Sequence, residues 1–307
     1  LQGGSTLSHH GVLDLTNTSL SLSAPLVNLW GGSSLTAISG PAFKVTGGSL
    51  TLTGASGVLI SADNTVNQIT RTGGLLELTN TTASLTNLAS IGGTDVVSVN
   101  LGASDANLRL TDSNLTLTAA NSSIGAYGNT SLPTIGGIHL IAADTTGAAD
   151  HTISLGGSLL TSLLGATLTN TDAQIQLTNM NVTQAVGATL PLVNLSGGLY
   201  TLSGPLLSMT GGTILLQNAA GGSVITASSR IVSGTTSPFV SLTNATVTTP
   251  LAVATPLFTT SATGTTTFVG PLLVSSGSTL SFGGALFGFS GSGTLTGSST
   301  SPFLDLT

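Results

Sequence analysis

"PLVNLSGGLYTLSG" (Pro191–Gly204) runs directly into "PLLSMTGGTILLQN" (Pro205–Asn218), and the two segments are variants of one phrase. The phrase opens on proline, alternates apolar and polar residues, turns on Gly-Gly, and alternates again. It recurs as "PLVNLWGGSSLTAISG" from Pro25 and "PAFKVTGGSLTLTG" from Pro41. Near the C-terminus, Pro238, Pro256, Pro271, Ala285 and Pro302 open further copies at a mean spacing of about 16 residues. Proline-free segments keep the later half: "VLDLTNTSLSL" (Val12–Leu22), "LLELTNTTASL" (Leu75–Leu85), "LRLTDSNLTL" (Leu108–Leu117) and "IQLTNMNVT" (Ile175–Thr183). Between about Ile91 and Asp172 the phrase blurs.

Each half-phrase has a period of two. Val45 alternates with Lys44 and Thr46, and Leu50 and Leu52 alternate with Thr51 and Thr53. That period predicts strands, and β-branched Thr, Val and Ile suit them. Gly-Gly, Thr-Asn and Gly-Pro between the runs are turn formers. A helical reading fails, because Gly is 41 of 307 residues and Ser and Thr are poor helix formers.

Short, similar strands with turns of nearly constant spacing predict an all-β fold, a parallel β-solenoid or β-helix. Like side chains then stack in ladders along a constant cross-section. One coil cannot bury enough apolar surface to order itself, so neighbours must support it. If one 16-residue unit made one coil, about 19 coils would give a rod roughly 90 Å long; two units per coil would halve that. The expected organisation is a single elongated solenoid over residues 1–307, less regular over 91–172, with an excerpt of a longer array as one reading. "SPFLDLT" (Ser301–Thr307) stops within a unit with no polar cap, so the ends are expected to continue or to stack on other copies.

Composition narrows the function. Charged residues are 5 %, against about a quarter in ordinary soluble proteins, while apolar residues are 40 %. Ten Asp and Glu against four Lys and Arg leave a net charge of −6. Nucleic-acid binding needs clustered cations, so it is not expected. No apolar run is long enough to suggest a membrane-spanning helix. The absence of cysteine removes disulfides, thiolate metal sites and cysteine nucleophiles.

The phrases "PLVNLSGGLYTLSG" and "VSLTNATVTT" resemble the repetitive β-solenoid regions of large bacterial surface and secreted proteins, such as filamentous-haemagglutinin-like exoproteins and autotransporter passengers. The resemblance implies a right-handed coil, an extracellular or cell-surface location, and a filament, stalk or adhesin role. It carries over no catalytic residue.

Chemistry is sparse. From Gln174 to Leu304 the sole charged residue is Arg230, too little for carboxylate acid–base catalysis. The middle holds Asp95, Asp105, Asp112, His139, Asp144, Asp150, His151 and Asp172, irregularly spaced and read as turn formers and solvent-facing groups. "HLIAADTTGAADH" (His139–His151) would place two His and two Asp within one coil, a set suiting zinc or nickel, but without a tight ligand motif it is read as an exposed loop. His9 and His10 point to opposite faces of a strand. No phosphate loop, calcium nonapeptide or serine-nucleophile motif occurs. The expectation is no catalytic, cofactor-binding or metal site, no enzyme activity and no cofactor; a glycan-active β-helix enzyme, which would depend on Asp144 or Asp150, is the least favoured reading. The expected partners are further copies stacked end to end, or a surface or glycan receptor.

Three patterns remain. Asn-x-Ser/Thr occurs at Asn17, Asn80, Asn114, Asn121, Asn129, Asn181, Asn194 and Asn244, all candidate glycosylation sites. Thr-x-Thr pairs such as Thr51/Thr53 suggest an ice-binding ladder, yet they drift among Thr, Ser, Ala and Gly and are read as solvent-facing β-formers. Phe239, Phe258, Phe268, Phe282, Phe287, Phe289 and Phe303 gather late and are read as an internal aromatic stack.

Overall fold

The structure is a computed structural model. It describes residues 1–37, 39–63, 65, 67–90, 96–99, 101–102, 104–124, 134–135, 137–162, 167–217, 223–252, 254–297 and 302–307. Asp95 and Asn129 lie outside these. The described residues form no helix, and every strand pairing among them is parallel. The chain is a β-solenoid.

One column of inward side chains gives the coil length. Leu13, Phe43, Leu76, Leu108, Leu140, Ile175, Leu207, Val240, Leu273 and Leu304 pair in succession, each 30 to 35 residues after the last. At about 4.8 Å per coil this ladder is roughly 45 Å long.

Two phrases therefore fill one coil. Pro41, Pro205, Pro238, Pro271 and Pro302 lead into the side that begins with Phe43, Leu207, Val240, Leu273 and Leu304. Pro25, Pro191 and Pro256, with Ala285, lead into the opposite side: Val27–Leu29, Val193–Leu195, Phe258–Thr260 and Phe287–Phe289. A coil has four sides, and each phrase supplies two of them around a corner.

The corners carry the backbone strain. Within Phe43–Leu52 the corner falls at Gly47 and Gly48, with φ of 69° and 80°. The equivalent position in other coils is Asn17, Asn80, Asp112, Asn179, Gly211, Asn244 and Gly277, all with positive φ. Only Gly, Asn and Asp take this left-handed conformation readily. That is why "LTN", "TGG" and "LTD" recur between apolar pairs. At Gly212 a Cβ would lie 2.1 Å from the Met180 carbonyl oxygen, so the backbone of the preceding coil occupies the side-chain space.

The interior is a stack of apolar rungs. Leu50, Ala83, Leu115, Ile153, Val182, Ile214 and Val247 form one fully buried column. Phe239, Phe258 and Phe268 pack edge-to-face, with ring centroids 5.6, 5.0 and 6.3 Å apart, and Phe287 meets Phe303 at 5.5 Å. Phe289 shares the inward face of Phe287 and follows the buried Thr260 in its column, yet in the last coil it is 51 % exposed.

Outward columns are in register too. Asp14, Lys44, Glu77 and Arg109 stack in alternating sign, and Lys44 Nζ lies 3.5 Å from Glu77 Oε1. Such exposed pairs contribute at most about 1 kcal/mol each, but a slip of one coil would set like charges together. The hydroxyl columns are more regular than the sequence suggests: Ser21, Thr51, Ser84, Thr116, Ser154 and Thr183 follow one another before Leu215 breaks the run. The neighbouring column mixes Ser and Thr with Asn114 and Asn181, so it offers no uniform threonine lattice.

The corner ladder yields a paired prediction. Gly212→Ala forces a Cβ into the Met180 carbonyl and strains a left-handed residue, so it is expected to lower stability by at least about 1–2 kcal/mol. Asn244→Gly is expected to change stability by only a few tenths of a kcal/mol. Urea denaturation of both variants checks this; equal effects would remove the corner from its structural role.

Candidate functional site

One corner breaks the pattern. Leu108 and Leu115 flank the corner of the fourth coil seven positions apart, whereas their partners Leu140 and Ile153 are thirteen apart. The extra residues form a loop over Asp144–Asp150. Asp144 stands where other coils carry the left-handed Asn or Gly, and the positive φ passes to Gly147 and Ala149.

Asp144 organises the loop from within. Its side chain has no exposed surface. Oδ1 accepts the Thr146 amide at 2.9 Å and the Thr146 hydroxyl at 2.5 Å; Oδ2 accepts the Asp150 amide at 3.0 Å. The Thr146 hydroxyl is the main reason this carboxyl is held well below the usual carboxylate range. Its covering opposes that effect, and His151 and Asp150 add to it.

Asp112 reaches the loop from the coil before. Its two oxygens accept the Thr145 amide and the Thr145 hydroxyl, both at 2.6 Å. His151 closes the loop: its Nδ1 lies 3.1 Å from Asp144 Oδ2 and 3.0 Å from Asp150 Oδ1. Nδ1 is buried and makes no hydrogen bond of good geometry. The contact is electrostatic. Donor atoms of Asp112, Asp144 and His151 all lie within 4.8 Å of one another. The grouping thus differs from the one within His139–His151 considered above: Asp112 joins from one coil earlier, and His139 stays apart.

His139 points inward, 3 % exposed, with Nδ1 2.9 Å from Gln174 Oε1. It belongs to an internal polar stack at the opposite end of this side. Asn107 occupies the same place in the coil before, accepting from Arg71 at 2.8 Å, and Gln174 in the coil after. Elsewhere this column is Ala42, Leu75, Leu206, Phe239 and Leu272. Three polar rungs among apolar ones help explain why the phrase blurs here.

The remaining candidates stay apart. His9 and His10 are exposed, with His9 Nδ1 accepting from the Gly11 amide and His10 Nδ1 contacting Ser39 Oγ. Asp105 accepts from the Gly102 amide. Asp172 edges a groove of about 370 Å³ lined also by Gln176, Ser208, Ser237 and Ser241. Asn17, Asn80 and Asn244 are exposed corner residues, whereas Asn114 accepts from the Thr152 amide at 2.8 Å. No helix among the described residues is long and apolar enough to cross a membrane.

Burial sets a pH dependence. Desolvation lowers the His139 pKa to about 4 from 6.5, and the Gln174 contact opposes this only in part. Folding therefore requires the neutral ring. Stability is intact above pH 6.5 and falls as pH drops toward about 4, by about 3 kcal/mol in all from this group. His139→Asn, which installs the residue of the preceding coil, should flatten that part of the profile. Hydrogen exchange of the flanking strands at pH 7 and pH 5 measures it; an unchanged profile in the variant would refute the assignment.

Comparison with family models, with curated proteins and with solved structures finds no match.

Proposed function

We propose that this chain is a non-catalytic structural protein, a β-solenoid segment of an extracellular filament, fibre or surface stalk. The observation that supports this most is the inward ladder from Leu13 to Leu304, unbroken from coil to coil. With 5 % charged residues, nothing electrostatic opposes the approach of another coil along the axis. Each coil pairs in parallel with the next through its main chain, and a further coil, of the same polypeptide or of another copy, would pair in the same way. The bacterial surface setting rests on the resemblance of the phrases alone.

A second reading, an adhesin on the same scaffold, is favoured by the loop at Asp144–Asp150 and the groove beside Asp172. Non-repeating features on a repeating rod are where a glycan or protein receptor would be held.

Electron microscopy of the purified chain at neutral pH, in low and high salt, tests the first reading. The expected result is unbranched fibres, insensitive to salt, with an axial repeat of about 4.8 Å by fibre diffraction. Discrete rods of one length would favour the adhesin, and salt-induced dissociation would count against uncharged axial stacking.

A further inference from the structure

We propose that Asp112, Asp144 and His151 bind one divalent transition-metal ion, zinc foremost, which staples the fourth coil to the loop of the fifth. The inference stands apart from the fibre reading and rests on the corner alone.

The first ground is geometry. Two donors about 2.1 Å from one tetrahedral ion lie roughly 3.4 Å apart, and His151 Nδ1 is 3.1 Å from Asp144 Oδ2. The Asp112 carboxylate completes the set within 4.8 Å. The second ground is the imidazole itself. A buried ring nitrogen beside two carboxylates would ordinarily donate to one of them, yet His151 Nδ1 makes no hydrogen bond. A ring nitrogen set between carboxylate oxygens at about 3 Å, with no well-aligned hydrogen bond of its own, is placed as a metal ligand's is.

Electrostatics points the same way. Asp112, Asp144 and Asp150 meet in a chain where charge is scarce, and no Lys or Arg among the described residues pairs with any of them. An ion of charge +2 would compensate the carboxylates better than one imidazolium. The ligand oxygens are already oriented, those of Asp112 by Thr145 and those of Asp144 by Thr146 and the Asp150 amide. Such outer contacts fix ligands and tune affinity. One imidazole nitrogen with carboxylate oxygens suits zinc, cobalt or nickel; magnesium and calcium prefer oxygen alone.

The test uses the full chain, stripped with chelator and titrated with zinc by calorimetry and with cobalt by visible absorption. The expected result is one ion per chain, and cobalt bands of low coordination number. Asp112→Asn and His151→Gln should each weaken binding by more than about tenfold. Asp112→Asn is the decisive variant, because Asn already fills this left-handed corner at residues 80, 179 and 244 and the coil should fold as before. The double variant His9→Gln/His10→Gln should bind unchanged. The proposal is overturned by no stoichiometric uptake of zinc or cobalt up to millimolar concentration, by uptake that both corner variants leave unaltered, by loss of binding in the His9/His10 variant, or by calcium binding as tightly as zinc.

Discussion

Each coil must turn its corner in a left-handed backbone conformation at the same place as the coil beneath it. The column Asn17, Gly47, Asn80, Asp112, Asn179, Gly211, Asn244 and Gly277 meets this constraint. A parallel ladder tolerates no drift in corner position, because a shift of one residue would turn every apolar rung outward. The choice of residue is local, set by φ, but its consequence is global. With the corner fixed, the strands on either side register, and the interior becomes continuous columns of Leu, Val and Ile.

Where the corner rule is suspended, the chemistry of the surface changes. The fifth coil accommodates six extra residues because they leave and re-enter the ladder at one corner, so Ile153 still pairs with Leu115 and Val182. The loop cannot borrow hydrogen bonds from a matching loop above or below. Side chains satisfy it instead: the Asp144 carboxylate from within, Asp112 from the coil before, and the amides of Asn179 and Asn181 from the coil after, which donate to the Asp144 and Ala149 carbonyls. Among the described residues, the group of Asp112, Asp144 and Asp150 thus arises where matching strands no longer satisfy the backbone.

The solenoid was legible because its cause is periodic. Alternation around Val45 and Leu50, the Gly-Gly turns and the returning prolines each state a local rule that the structure obeys. The number of phrases per coil was not legible, since Pro25 and Pro41 open phrases of the same form on opposite sides of one coil. The corner cluster was hidden for a related reason. Asp112 precedes Asp144 by 32 residues, and only a known coil length makes them neighbours. The same knowledge would have removed His139 from the set, since the places one coil away hold Asn107 and Gln174, an internal polar stack. The hydroxyl columns look irregular along the chain and become regular once read at the coil spacing.

The two polar features of the middle coils differ in what they exclude. The stack of Asn107, His139 and Gln174 replaces apolar rungs inside the rod, where His139 is sealed from water and stays neutral. A buried amide or imidazole that is hydrogen-bonded costs far less than an unpaired one, and Gln174 Oε1 meets His139 Nδ1 while Gln174 Nε2 finds no acceptor among the described residues. The interior thus tolerates polarity as largely paired groups, His139 as the neutral ring and the Arg71 guanidinium, 2 % exposed, donating to Asn107 Oδ1. The corner collects the carboxylates, because there water reaches the rim of the loop. A rod that segregates its polarity in this way can vary its corners without disturbing the ladder. That freedom lets one repetitive scaffold carry a local site at a single coil and remain uniform everywhere else.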